Sequence, residues 1–384
     1  MRKVPKLRFK EFSDEWEEKK IEDIGEINPK SKSIPKKFVY IDLESVVDGQ
    51  LKEKKIIEKE EAPSRAKRLV EKNDILYQMV RPYQQNNLYF SFNDELDYVA
   101  STGYAQIRTF YHNNSMYVYH LMHTKKFLDK VLERCTGTSY PAINSEDLSN
   151  ISIKISKNIN EQEKIANFLS SIDKKIYLTE EKLELFREYK KGVMQKIFSQ
   201  ELRFKDNNGN DYPEWEEKKL EDIVNINKGK QLNKELLEKQ GEYPVINGGI
   251  LPSGYTDKYN TLSNTITISE GGNSCGYVNF IKNNFWAGGH CYTLNKKIEI
   301  NYKYLYQLLK FNEVNIMDLR VGSGLPNIQK SAINNYKINI STTLEEQQKI
   351  ADFLSSIDSK IESIEKELER LKEFKRGLLQ QMFV

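Results

Sequence analysis

The sequence predicts a mixed α/β fold. Two globular α/β domains are separated by two long helices that pack as an antiparallel coiled coil, and the whole forms a pseudo-two-fold internal repeat. Three observations carry this expectation. The block Glu161-Gln162-Glu163-Lys164-Ile165-Ala166-Asn167-Phe168-Leu169-Ser170-Ser171-Ile172-Asp173 returns, nearly unchanged, as Glu346 to Asp358. Upstream, Glu15-Trp16-Glu17-Glu18-Lys19-Lys20-Ile21-Glu22-Asp23-Ile24 returns as Glu214 to Ile223. Each of the first pair of blocks then opens a long heptad seam, while what lies between the matched blocks does not repeat.

The first seam reads Ile165, Leu169, Ile172, Ile176, Thr179, Leu183, Phe186, Lys190, Val193, Ile197. The second reads Ile350, Leu354, Ile357, Ile361, Ile364, Leu368, Leu371, Lys375, Leu378, Met382. Apolar residues at alternating steps of four and three, sustained over about five heptads, are a coiled-coil signature. The residues between are rich in Glu and Lys, as a solvated face requires. Each helix should run about 40 residues, or about 60 Å. Asn158 three residues before Glu161, and Thr343 three before Glu346, predict a capping box at each start. Both seams carry a late lysine, Lys190 and Lys375, followed by Gly192 and Gly377. A glycine inside a helix costs about 1 kcal/mol. Its duplication suggests close approach of another helix there, with a local kink as the alternative.

These signals divide the chain into a first α/β domain at 1–157, a first spacer helix at 158–200, a second domain at 201–342 and a second spacer helix at 343–384. In the first domain, Asp74 to Val80 and Tyr98 to Ala100 read as strands and Met116 to Arg134 as a helix. In the second, Tyr243 to Ile246, Thr265 to Ile268 and Gly276 to Ile281 read as strands, and Tyr302 to Phe311 as a helix. Each domain ends in a related stretch, Gly137-Thr138-Ser139-Tyr140-Pro141-Ala142-Ile143 and Gly322-Ser323-Gly324-Leu325-Pro326-Asn327-Ile328. A strand then leads into the long helix, from Ile151 to Ile155 or from Tyr336 to Ile340. The interval from Trp16 to Pro141 is longer than that from Trp215 to Pro326, so the two domains should differ in more than a few contacts.

Bulk properties narrow the class. A length of 384 residues supplies two domains with proper cores. No apolar run reaches the roughly 18 residues a membrane span needs, and the start, Met1 to Lys6, lacks the apolar core of a secretory signal. The scattered cysteines Cys135, Cys275 and Cys291 argue for a reducing compartment, the cytoplasm, and against a disulfide framework. Abundant Lys, Asn and Ile suggest an AT-rich coding sequence and hence a bacterium. His120 and His123 fit one helix face, but no further ligands accompany them, so a structural or surface role is expected rather than a metal site. The net charge of +3 does not by itself point to nucleic acid.

Familiar catalytic motifs are absent. There is no phosphate loop, no dinucleotide fingerprint, no nucleophile elbow, no zinc-protease helix and no Asn-Pro-Pro-Tyr box. Gly271-Gly272-Asn273-Ser274-Cys275-Gly276 has the wrong spacing for a nucleotide cradle and reads as a tight turn. No catalytic, metal-binding or cofactor-binding residue is therefore assigned.

Binding candidates are better. In the first domain Arg65, Lys67 and Arg68 precede a strand, and Arg81, Tyr83, Gln84 and Asn86 crowd the loop after it. Arginine pairs with guanine O6 and N7, and Gln or Asn with adenine N6 and N7. A polar surface loop is the competing reading. In the second domain the comparable set is Lys228, Lys230, Asn247, Ser253, Tyr255, Asn273, His290 and Arg320. Its glycines either make turns or let backbone approach a phosphate.

Two unlike domains alternating with two helices that carry E-Q-x-K-I-A-x-F-L-S-S-I-D resemble the specificity subunit of a type I restriction–modification system, over essentially the whole chain. Ser64-Arg65-Ala66, Arg81-Pro82 and Ala100-Ser101-Thr102-Gly103-Tyr104 resemble one subtype of its target recognition domain. Tyr243 to Gly249 and Asn284 to Gly289 resemble another. The resemblance implies that each domain reads one half of an asymmetric bipartite site in double-stranded DNA, and that the helices set the gap. It implies two methyltransferase subunits, holding S-adenosylmethionine, docked on the helices. The seam residues Ile165, Leu169, Ile172, Ile176, Leu183, Phe186, Ile350, Leu354, Ile357, Ile361, Leu368 and Leu371 would build that frame. Two restriction subunits, using ATP and Mg, would complete the complex. On this reading the chain binds no cofactor and supplies no catalytic group. An autonomous DNA-binding regulator or coiled-coil scaffold is the alternative, and an enzyme without familiar motifs a third.

Overall fold

The computed structural model describes residues 4–30, 33–322, 324 and 326–384. Ser323 and Leu325, in the stretch that precedes the second long helix, and Met1 to Lys3 lie outside the described residues. The chain divides into two compact units. The first comprises residues 1–180 with 366–384, and the second residues 181–365.

The two long helices span Ile159–Phe198 and Leu344–Met382. Each unit holds the first half of one and the last half of the other, and within each unit the two segments pack antiparallel, Asp173 facing Lys375 and Glu180 Lys372 in the first, Arg187 facing Glu365 and Lys190 Asp358 in the second. In the first unit Ile165, Leu169 and Ile172 are buried with Leu378, Leu379, Met382 and Phe383. In the second, Ile350, Leu354 and Ile357 are buried with Met194, Ile197 and Phe198. Ile176, Phe186 and Ile361 are half-buried against these cores, Leu183 is buried, and Leu368 and Leu371 are half-buried. The seam is thus also the floor of each unit's core. Charged pairs flank it reciprocally: Arg187 Nη2 lies 2.6 Å from Glu365 Oε1 in the second unit, and Lys372 Nζ 2.7 Å from Glu180 Oε1 in the first.

Each unit carries a four-stranded antiparallel sheet in the same order. In the first it runs Gly25–Ile27, Tyr104–Thr109, Ile75–Gln78, Leu88–Tyr89; in the second Val224–Lys228, Cys291–Lys296, Thr265–Ser269, Val278–Ile281. A short pair ties domain entry to domain exit in both, Glu17–Lys20 with Ser152–Ile155 and Glu216–Lys219 with Lys337–Ile340. The remaining sheets differ. The first unit has four strands, Ile56–Glu58, Lys37–Ile41, Tyr98–Ser101 and Ala66–Leu69, and the second only three, Gly254–Thr256, Tyr243–Ile246 and Trp286–Ala287. The frame is repeated and this second sheet is not.

Three local expectations are corrected. Met116 to Arg134 is two helices, Ser115–Met122 and Lys125–Leu132. Thr124 breaks it, because its hydroxyl donates back to Leu121 O and caps Phe127 N of the next helix. The capping boxes do not form. Asn158 Oδ1 does accept from Asn160 N at 2.9 Å, but Glu161 points inward and is fully buried. It takes Arg8 Nε at 2.6 Å and Nη2 at 2.9 Å, Trp16 Nε1 at 3.2 Å, and the Ser156 hydroxyl. Glu346 repeats this with Arg203, Trp215 Nε1 at 2.9 Å and Ser341 Oγ at 2.6 Å, and Thr343 Oγ1 has no hydrogen-bond partner. A buried carboxylate is tolerable only when paired and hydrogen-bonded in this way. Finally, Gly192 and Gly377 face open space: an added Cβ would meet nothing within 4 Å, so no helix approaches them, and both helices continue through without a break.

Candidate nucleic-acid interface

In the first unit the predicted residues gather around one turn. Thr102 N donates to Arg65 O at 2.9 Å, and Met79 N to Gly103 O at 3.0 Å. The start of strand Ala66–Leu69 and the loop from Met79 to Asn87 therefore flank the Ser101–Gly103 turn. Arg65 and Lys67 are exposed. Arg68 is half-buried, its Nε lacks a partner, and burial pushes its guanidinium below the ordinary value.

The loop itself is held from beneath by two buried amides. Gln78 donates through Nε2 to Gln84 Oε1 and to Val80 O, both at 2.8 Å, and accepts from Asn86 N at 3.0 Å. Asn87 Oδ1 accepts from Gln78 N at 2.8 Å. Asn86 Oδ1 lies 3.4 Å from Asp48 N. Tyr83 is 51% exposed. Arg81 adopts a left-handed backbone (φ 54°), as does Gln85 (φ 53°). The Arg81 guanidinium carbon sits 4.2 Å above the centre of the Tyr140 ring, and its Nε has no hydrogen-bond partner.

The matching region of the second unit has the same backbone ties. Arg81 N donates to Pro141 O at 2.7 Å and Ile143 N to Met79 O; Gly272 N donates to Pro326 O at 3.1 Å and Ile328 N to Glu270 O. Val80 bridges Ala142 as Gly271 bridges Asn327. Arg81 thus corresponds to Gly272, and Gln85 to Gly276, both with positive φ.

Around this turn the second unit collects Lys228, Asn247, His290 and Asn273. Glu270, 5% exposed, organises them. It accepts from Lys228 Nζ at 2.6 Å and Tyr292 OH at 2.9 Å, and His290 Nδ1 lies 3.3 Å from its second oxygen. Burial works to raise the Glu270 carboxyl, but these bonds and the Lys228 charge outweigh it and hold it below the usual range. Asn247 Oδ1 accepts from His290 N at 2.9 Å. Lys230 is exposed and its carbonyl accepts from Trp286 Nε1. Gly229 between them cannot be larger, since a Cβ would come within 2.3 Å of Gly288 O. Lys228, Gly229, Lys230, Asn227, Asn260 and Thr293 line a groove of about 380 Å³ that no carboxylate lines. Ser253 and half-buried Tyr255 stand apart, on the hairpin of Tyr243–Ile246 and Gly254–Thr256. Arg320 and Asn273 are exposed on the segments either side of the Gly271–Asn327 bridge.

His120 and His123 bond to neighbours within the first unit. His123 bonds Tyr119 O at 2.8 Å and Asn87 Nδ2 at 3.2 Å; His120 is fully buried beside Ser170. Among the described residues no group of three or more His, Cys, Asp or Glu is placed to hold a metal. No helix among them is long and apolar enough to cross a membrane. Sequence reasoning missed Gln78, Asn87, Tyr140 and Glu270. Only Tyr140 left a signal, as the lone aromatic in the stretch before Pro141.

A family model for the type I restriction modification DNA specificity domain matches residues 13–185 and again 212–373. The chain belongs to this family. Two curated relatives agree: a protein of Mycoplasma genitalium described as a type I specificity subunit, 36% identical over 152 residues (39% of each chain), and the specificity subunit of the type I restriction enzyme MjaVIII of Methanocaldococcus jannaschii, 29% identical over 204 residues (50% of this chain, 47% of that one). Each match spans less than half of the relative's length. The fold is that of the crystal structure of a type I S subunit from M. genitalium, with a TM-score of 0.69 over 99% of both chains at 19% identity.

Proposed function

We propose that this chain is the DNA specificity subunit of a type I restriction–modification complex, reading one half of an asymmetric, bipartite site with each unit. The observation that carries the reading is the contrast within the repeat. Sheet order, entry pair, Trp–Glu–Arg lock and helix pairing occur twice, whereas the loops around Arg81 and around Gly272 share a backbone path and no side chains.

Physics favours such a division. Each mismatched base pair costs about 1–3 kcal/mol, roughly additively, so two short readers joined by one frame discriminate far better than either. A helix of 40 residues is about 60 Å long, on the order of 17 base pairs at 3.4 Å each. That length suits two half-sites and a gap. The exposed faces of the helices would dock two methyltransferase subunits, which bind S-adenosylmethionine and methylate adenine. Two restriction subunits would bring ATP and Mg. The chain itself contributes no catalytic group, holds no cofactor and works in the cytoplasm.

Exchanging residues 201–342 for the corresponding domain of another member, and mapping methylated adenine in cells that co-express the methyltransferase, tests this. One half of the motif should change. A change in both halves, or in neither, sinks the modular reading.

A further inference from the structure

Between two left-handed backbone positions, both units build the same short loop: Arg81 to Gln85 in the first and Gly272 to Gly276 in the second. The ties to the segments before the long helices fix the correspondence, as the matched bonds to Pro141 and Pro326 show. The second unit fills both left-handed positions with glycine, the residue that adopts them without a steric penalty. The first fills them with Arg and Gln. A side chain held at positive φ is strained, and such strain persists where the surroundings impose it and clusters at functional sites. The fold therefore accepts glycine at this place, and the first unit carries an arginine there against the local preference.

What that arginine does follows from its surroundings. Its guanidinium lies over the Tyr140 ring at 4.2 Å, a cation–π stack that restricts the side chain before any ligand arrives. Its Nε lacks a hydrogen-bond partner, and it takes part in no ion pair among the described residues. By sequence alone the second half cannot build such a stack, since glycine and leucine stand at the matching positions 272 and 325. The platform beneath, Gln78 and Asn87, is buried and hydrogen-bonded to the loop and to each other. A planar guanidinium whose Nε is buried, pre-oriented by the stack and flanked by exposed Tyr83 and Gln84, has its two terminal nitrogens left to match the O6 and N7 acceptors of guanine in the major groove. A phosphate contact would need only charge, which Arg65 and Lys67 supply from relaxed positions nearby.

We propose that Arg81 is the base-reading residue of the first unit, reading a guanine in its half-site, and that Tyr140 is its positioning residue. This rests on the DNA-specificity reading above and assigns one base pair within it.

The test uses the full chain co-expressed with the methyltransferase of its own system, with methylated adenine mapped across cellular DNA and the purified chains melted in parallel. Arg81→Gly should melt no lower than wild type while discrimination at one G·C pair of one half-site falls about ten- to hundred-fold. Arg81→Lys, which keeps charge and strain but lacks the fork, should relax the same pair. Tyr140→Leu should relax that pair partly and leave every other position intact. An unchanged motif in Arg81→Gly overturns the proposal. So does a uniform loss of methylation with the motif intact, which would place Arg81 on phosphate. A melting temperature for Arg81→Gly clearly below wild type overturns the strain argument. If the wild-type chain itself yields no motif, it is the specificity reading that fails, and this inference falls with it.

Discussion

Lys190 Nζ lies 2.6 Å from Asp358 Oδ1, and Lys375 pairs with Asp173 in the same way. The late lysine of each seam thus meets the last residue of the other helix's repeated block. This reciprocity explains why a polar residue recurs inside two apolar seams. A buried charge at a seam position specifies register at some cost in stability. The pair is mostly shielded on the lysine side and open on the aspartate side, with side-chain exposures of 15% and 40%. It should therefore be worth about 1 kcal/mol. Lys190→Met should lose helix register fidelity more than stability. The exchange Lys190→Asp with Asp358→Lys should restore both, measured by urea unfolding and by hydrogen exchange along the helices. If each single change and the exchange behave alike, the pair has no role in register.

The second oxygen of Asp358 accepts from Gln307 Nε2 at 2.6 Å. In the first unit His120 takes the place of Gln307, and its Nδ1 stays 3.8 Å from Asp173 Oδ2 without a hydrogen-bond partner. Burial above all, then the Lys375 and His123 charges, pushes His120 well below its ordinary 6.5. Asp173 is moved up by burial, with Lys375 opposing. Folded His120 thus stays neutral where an unfolded histidine takes up a proton. Its effect on stability is absent above about pH 6.5 and grows unfavourable as pH falls below that value. His120→Gln should restore the missing bond and gain about 1 kcal/mol at pH 7.5. It should also flatten the loss of stability between pH 7 and roughly 5. Urea midpoints at several pH values decide it; parallel curves for both proteins would refute the assignment.

The repeat, the helices and most strands were legible because each is a local, periodic pattern. Tyr243–Ile246 and Tyr302–Phe311 fall where the alternation and the apolar spacing place them. What was not legible depends on partners far along the chain. Glu161 matches a capping box by spacing, yet Arg8, 153 residues away, and Trp16 draw it inward. The clue was present: Leu7-Arg8-Phe9-Lys10 recurs as Leu202-Arg203-Phe204-Lys205, at a different distance from its tryptophan, so block matching passes over it. At the candidate site, Arg81 was visible as a residue type suited to DNA. Its left-handed backbone was not, because sequence places such conformations at glycine. Nor did anything mark Gln78 and Asn87, since a buried amide under a loop has no pattern of its own.

At Gly192 and Gly377 the sequence left two readings, close approach of a neighbouring helix or a local kink, and the space beside both is open. Neither has a positive φ, so alanine fits the helical backbone at each. Replacing a helix-interior glycine under these conditions removes unfolded-state freedom and should gain about 1 kcal/mol. Gly192→Ala and Gly377→Ala should therefore each raise the urea midpoint. A loss of stability would mean that the glycines relieve a strain the helices otherwise carry. The same variants ask what the bare backbone is for. If the gain in stability comes with weaker assembly with the methyltransferase, scored by co-purification, the glycines keep a surface flat for a partner that lies close against it. If assembly is unaffected, the duplicated glycines have no part in it.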